Sequence, residues 1–226
     1  MTFNQITSTR LRELDTAWGA ALNVSRGPAP RSLGLCHMLA ETNGTTPTTT
    51  QSTTHRDVGI MRLSLRDTTK LGYQETAAQN ANTNIYLWCK LANLHAEALH
   101  AAFPTWWTIA NLDFWLAVRL VFVMGIIPTK KLLATVNQAN SADHSTAAVI
   151  SWMRSTASVN QCFGTFNHFD LVHLADHLDE VLRGMGWIDG PHYVAPHFSV
   201  RVPAPNNEEA LFVNTQEYVS HLESGA

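Results

Sequence analysis

The 226-residue sequence predicts an all-α fold: a helical-bundle core, a long N-terminal arm and room for one small β-hairpin. Three observations carry that prediction. Apolar residues recur at helical spacing through most of the chain between 82 and 183. Residues 45–54, TTPTTTQSTT, hold seven Thr in ten positions and mark a polar tether, not a packed element. Strand-period alternation is confined to 60–66 and 198–202.

The elements follow in order. Residues 8–22 place Leu11, Leu14, Trp18, Ala21 and Leu22 at helical spacing, and Arg26-Gly27-Pro28-Ala29-Pro30 ends the pattern. This helix and the Thr-rich tether make residues 1–56 an arm. An apolar face on a tether is free to travel, so Leu11, Leu14, Trp18 and Leu22 are expected to dock on a neighbouring copy. The core spans 57–205. In IMRLSLR (60–66), Met61, Leu63 and Leu65 alternate with Arg62, Ser64 and Arg66. Phe198, Val200 and Val202 alternate likewise, and the two segments are candidates to pair.

Asn82 or Asn84 can cap a helix that buries Ile85, Trp88, Cys89, Ala92, Leu99 and Phe103 and ends at Pro104. Thr105 can cap the apolar stretch 106–124, which Gly125 and Pro128 stop. Thr129 opens a helix with Leu132, Leu133 and Val136, and Asp143 one with Ala147, Ile150 and Met153. Asn167 opens 168–183, with Phe169, Val172, Leu174, Leu178 and Val181 expected inside and Gly184 expected to end it. Residues 206–226 are a C-terminal extension, in which Asn206 and Glu209 have capping-box spacing for a helix over 207–222.

Composition narrows the function classes. Charged residues are 15% of the chain, against about 25% in ordinary globular proteins. The net charge of -3 excludes a strongly basic nucleic-acid binder, and seven Trp with nine Phe exclude disorder of the whole chain. Residues 1–70 carry +3 and residues 71–226 carry -6, an asymmetry that permits head-to-tail attraction between copies. Cys36, Cys89 and Cys162 lie far apart with no CxxC spacing, so neither a disulfide framework nor a zinc knuckle is indicated and a reducing compartment is expected. Arg10, Arg12, Glu13 and Asp15 interrupt the first segment, so no secretory leader is expected. Asp113 and Arg119 interrupt the apolar run 106–127, which reads as a helix buried in protein and not as a membrane span.

Chemical motifs are sparse. GxSxG, GxGxxG and GxxxxGK[ST] are absent. His173 and His177 are an i, i+4 pair with Asp170 on the same helical face, a spacing that suits two or three metal ligands. The HExxH glutamate is missing, His95 and His100 are five apart, and the plainer reading is the polar face of a surface helix. Cys162 with His168 is one of the coincidences that eleven His make common. Arg119 stands out because FWLAVRLVFV surrounds it with apolar residues. A buried charge needs a counter-charge. That is either the acid of a structural ion pair or a bound anion.

One resemblance concerns FGTFNHFDLV (163–172), which looks like the aromatic-aromatic-Asp helix start of coat proteins of flexible filamentous plant and fungal RNA viruses, the potexviruses and more loosely the potyviruses. SVRVPAPNNEEALFVNTQEYV (199–219) resembles the potexvirus pattern of Arg, a Pro pair, acids and a helix, although Arg-Pro-Pro is spread here over Arg201-Val202-Pro203-Ala204-Pro205. An Arg in an apolar helix about fifty residues before the Asp fits the same arrangement. The resemblance implies a subunit that polymerises helically around single-stranded RNA, with Arg119 and Asp170 in the RNA groove. Lys130, Lys131 and Arg154 flank that region and are further candidates for phosphate contact.

The expectation is therefore a viral coat (nucleocapsid) protein, not an enzyme, with no cofactor. Its partners are single-stranded RNA and copies of itself, without a membrane, and its places are the virion and the host cytoplasm. The rival expectations are a helical metal-dependent enzyme using His173, His177 and Asp170, and a soluble helical interaction protein.

Overall fold

The computed structural model describes residues 18, 29–42, 50–51, 56–107, 111–140 and 143–189. The chain is all-α with one small antiparallel sheet. Its elements are α1 (Arg31–Thr42), β1 (Thr50–Gln51), β2 (Arg56–Val58), β3 (Leu63–Ser64), α2 (Leu65–Lys70), α3 (Glu75–Gln79), α4 (Ala81–Ala102), α5 (Leu112–Met124), α6 (Ile126–Ala139), α7 (Thr146–Arg154) and α8 (His168–Ile188), with a 3-10 turn at Thr156–Ser158. The chain divides into two compact units: residues 1–93 with 184–218, and residues 94–183 with 219–226. Helices α4 and α8 contribute a part to each.

In the first unit α1 buries every residue from Ser32 to Leu39. This segment lies inside the 1–56 arm expected from the sequence, but it is core. Its predictor is the run Leu33, Leu35, Cys36, Met38, Leu39, which is apolar on more than one face, as a helix enclosed by its neighbours is. Trp18, itself helical, is also buried, with its ring edge-on to Trp88 at 5.5 Å and against Gly34. The one described residue of the predicted docking face thus packs on its own chain. Leu11, Leu14 and Leu22 lie outside the described residues, as do the predicted strand 198–202 and the helix over 207–222.

Strand order is β1-β2-β3, with Thr50 opposite Asp57 and Asp57 opposite Ser64. The alternation over 60–66 predicts a strand throughout, yet only Leu63 and Ser64 are in one. The chain turns at 59–62, with Gly59 at φ 74° and Arg62 at φ 45°. Side chains take the place of a partner strand here. Asn84 accepts from the Met61 N–H at 2.7 Å, and His37 Nε2 donates to the Met61 carbonyl at 2.9 Å. Asn84 also donates to the Val58 and Ala78 carbonyls. It is therefore a buried staple inside α4, not the cap. The cap is Asn80, whose Oδ1 accepts from Thr83 N.

In the second unit α5 starts at Leu112, six residues later than the apolar run suggests. Asn111 caps it by accepting from Asp113 N at 2.8 Å, and Gly125 at φ 85° ends it. Trp106 and Trp107 precede it in an aromatic cluster. Pro128 sits in the first turn of α6, where a missing N–H costs nothing. Ser145, not Asp143, caps α7, by accepting from Ala148 N. Asn167 caps α8 as expected, by accepting from Phe169 N and Asp170 N. Gly184 does not end α8. Leu174, Leu178, Val181, Met185 and Ile188 continue one buried stripe through it. Phe169, expected inside, is 68% exposed.

Two stability predictions follow. A Cβ on Gly34 would overlap the ring of Trp18. Helix propensity alone makes Gly34→Ala stabilising by about 1 kcal/mol; expulsion of Trp18 makes it destabilising by about 2 kcal/mol or more. Denaturant unfolding together with the Trp emission maximum decides, and a net loss with a red shift is expected. His95 is buried edge-on to Phe122 at 4.7 Å, and burial pulls its pKa from 6.5 to about 3. The unfolded chain takes up this proton below about pH 6.5 while the folded chain refuses it until about pH 3. Stability is therefore complete above pH 6.5 and falls with acid, by about 1.4 kcal/mol per pH unit. His95→Leu should lose about 2 kcal/mol less than the parent between pH 6.5 and pH 5 in urea unfolding.

Candidate functional site

The site centres on α5, where Phe114 to Val121 are all buried, Arg119 among them at 2% exposure. Arg119 Nε lies 3.2 Å and Nη2 2.9 Å from His177 Nε2 on α8. A guanidinium has donors and no acceptor, so both groups donate and His177 Nε2 must carry its lone pair. The imidazole is neutral, with its proton on Nδ1. The pair thus holds one positive charge in a fixed plane.

Asp170 makes its hydrogen bond within α8 and not to Arg119. Its Oδ2 accepts from Asn167 N at 2.9 Å, closing the first turn of its own helix. This is the ordinary work of an acid at a helix N-terminus, where unpaired N–H groups and the macrodipole attract negative charge.

The metal set is likewise dispersed. His173 is exposed and edge-on to Phe169 at 4.3 Å, His177 serves Arg119, and Asp170 caps α8. Among the described residues no three His, Cys, Asp or Glu side chains converge as a metal site requires. His168 pairs with Ser158 and not with Cys162. Its Nδ1 lies 2.7 Å from Ser158 Oγ, which also reaches the Met153 and Ser155 carbonyls. The single hydroxyl proton is shared among these acceptors, and the tautomer of His168 sets which of the two side chains donates. Ser158 is fully buried and its hydroxyl is a strut, not a nucleophile.

The remaining candidate cations are Arg154 on α7 and the adjacent Lys130 and Lys131 on α6. Arg154 donates to Asp176 through Nε at 3.0 Å and Nη2 at 2.5 Å, with Asp179 at 3.7 Å. That exposed group is already matched by acids. Lys131 is exposed, its Nζ 5.9 Å from the Phe163 ring centroid, and Lys130 is half-buried on the same helix.

A second constellation in this unit has no counterpart in the sequence motifs. Asp113 Oδ1 accepts from Thr146 N at 2.6 Å and so pins the N-terminus of α7 to that of α5. Phe103 stacks on Trp106 at 4.0 Å and 18°, and Trp106 on His144 at 4.1 Å and 10°. Trp107 stands edge-on to all three rings, and its Nε1–H donates to the His144 carbonyl at 3.1 Å. A cavity of about 10 Å³ beside this ladder is walled by Trp107, Asp113, Leu116, His144, Thr146 and Leu178, with others. Thr146 Oγ1 and His144 Nδ1 are buried without a hydrogen-bond partner, which costs about 1–3 kcal/mol for each such group. The adjacent Trp pair fits the apolar face of a helix equally well, and sequence spacing does not bring 103, 106 and 144 together.

The Arg119–His177 pair makes a double-variant prediction. His177→Leu removes an acceptor from a buried guanidinium, at a cost of about 3–5 kcal/mol. Replacing both, Arg119→Met with His177→Leu, should recover most of that loss, because an apolar pair of similar volume carries no desolvation cost. A double-variant loss equal to the sum of the two single-variant losses would show that the two side chains are not energetically coupled.

No protein-family model, curated protein or solved structure matches this chain.

Proposed function

We propose that this chain is a self-assembling coat subunit that packages single-stranded RNA, with Arg119 as its contact to the RNA backbone. The observation that carries the reading is the Arg119–His177 pair. A guanidinium buried among apolar residues is held by two contacts to the ring nitrogen of His177. Structural necessity alone does not call for a charge there, since apolar residues serve that purpose at lower cost. A fixed planar guanidinium suits phosphate oxygens.

Three further features support the reading. A coat subunit needs few cations, because each copy neutralises only a few phosphates and the copies share the load; the chain has 15% charged residues. The resemblance to filamentous-virus coat proteins at 163–172 and 199–219 places the aromatic-aromatic-Asp start at the head of α8, the helix that supplies His177. Asp170 keeps Oδ1 clear of protein hydrogen bonds, and in this role that oxygen accepts from a ribose 2′-hydroxyl, not from a phosphate. Among the described residues no helix is long and apolar enough to cross a membrane. The virion and the host cytoplasm are the places such a subunit occupies.

The test is RNA content per assembled subunit. Arg119→Lys keeps the charge and loses the planar fork, so assembled material should carry less RNA than the parent while the fold is retained. Equal RNA content in parent and variant would remove Arg119 from the RNA contact and leave it as a structural residue.

A further inference from the structure

Among the described residues Phe169 is the most exposed large apolar side chain, and Ile127, at 44% exposure, and Val123 are exposed as well. The three border one corner of the second unit. Val123 and Ile127 flank Gly125, where α5 passes into α6. Pro128, beside Ile127, lies 3.2 Å from the position that a Cβ on Gly164 would take. Gly164 sits in the turn closed by the Phe163–Phe166 backbone pair, and that turn leads through the Asn167 cap to Phe169. The corner has a basic rim. Helix α6 carries Lys130 and Lys131 and no acid, and Lys131, one turn beyond Ile127, is exposed beside the Phe163 ring. Asp170, next to Phe169, turns Oδ2 back to the Asn167 N–H. A single exposed apolar side chain needs no explanation. A group of them rimmed by one sign of charge has the make-up of a docking surface.

The chain itself contains a segment of matching chemistry. Residues 206–226 hold Glu208, Glu209, Glu217 and Glu223 with no Lys or Arg. Leu211, Tyr218 and Leu222 recur at i, i+7 and i+11, which is one face of the helix that the Asn206–Glu209 capping box would open. Glu208, Glu217 and Glu223 fall on the flanks of that face. An apolar stripe with acidic flanks fits an apolar corner with a basic rim. Residues 190–205, which join α8 to this segment, reach at most about 55 Å. Helix α8, with its 21 residues, is about 31 Å long, so the segment is able to extend past its own subunit.

We infer that residues 207–222 of one copy dock on the Ile127–Phe169 corner of a second copy, with the Leu211–Tyr218–Leu222 stripe against the apolar side chains and the acids toward Lys131. The inference rests on the self-assembly reading and names the contact that joins the copies. Segment and corner are different parts of the subunit, so the contact is heterologous. Each copy that docks its segment still offers its corner to another. A contact of that kind closes into a ring or continues as a filament, according to the rotation between copies.

The experiment follows self-association of the full chain without RNA, by sedimentation velocity over a wide range of concentration. The parent should sediment faster as concentration rises, and an excess of a synthetic peptide of residues 206–226 should hold it as monomer. The same peptide carrying Glu208→Gln, Glu209→Gln and Glu217→Gln should compete less well, and the difference should shrink in high salt. Phe169→Ser should weaken self-association by about ten-fold or more, as loss of an aromatic anchor does, with an unchanged circular dichroism spectrum because Phe169 is exposed. Phe169→Leu should recover most of the loss. Parent-like self-association in Phe169→Ser, or a peptide without effect, overturns the contact and leaves the assembly reading standing. A change confined to the sedimentation of the monomer overturns it as well, because the segment would then lie on its own chain. A parent that stays monomeric at every concentration also overturns the contact, while the assembly reading is then decided by the particles formed with RNA.

Discussion

A guanidinium placed in the most apolar of the described helices is the constraint around which the second unit is arranged. Arg119 is enclosed with its neighbours from Phe114 to Val121, so it demands acceptors from another element. His177 answers from α8, and the pairing fixes which face of α8 meets α5. The two ends of α5 are tied by the same principle of satisfying every buried polar group. Asp113 at its start holds the first N–H of α7, and the Gly125 carbonyl at its end accepts from the Thr129 hydroxyl at 2.7 Å. One helix thus sets the positions of three others through a few polar contacts, while apolar packing supplies the bulk of the stability.

The first unit solves a comparable problem without charge. Asn84 is fully buried and satisfies three backbone groups around a tight turn, and His37 completes the set at Met61. A neutral amide does this work with a smaller desolvation cost than an ion. That the second unit carries an arginine at its equivalent node is the physical ground for giving Arg119 a task beyond packing. An imidazole partner fits that task, because it orients the guanidinium and adds no charge of opposite sign.

Periodicity made the helical class and most helix bodies legible: the stripe from Leu174 to Val181, the pair Leu132 and Leu133, and the buried face from Ile85 to Leu99 all lie inside. The ends were less legible, because several residues compete to cap. Thr105 and Asp143 have capping chemistry, but Asn111 and Ser145 stand where the chain actually turns. The alternation over 60–66 has strand period, and long-range side chains override it at Met61. At the site, Arg119 was legible from its apolar surroundings, whereas its partner was not. His177 carries an i, i+4 spacing from His173 that points to a metal, and only the packing of α8 on α5 turns it to the guanidinium. The ladder was invisible for the same reason, since no local spacing relates Trp106 to His144.

The central claim, that the chain assembles around RNA, is tested most directly by purifying the expressed protein, treating it with nuclease, and recovering what survives. The account predicts particles in negative stain that retain nuclease-resistant single-stranded RNA in constant ratio to protein. Monomers, or particles free of protected RNA, would contradict it.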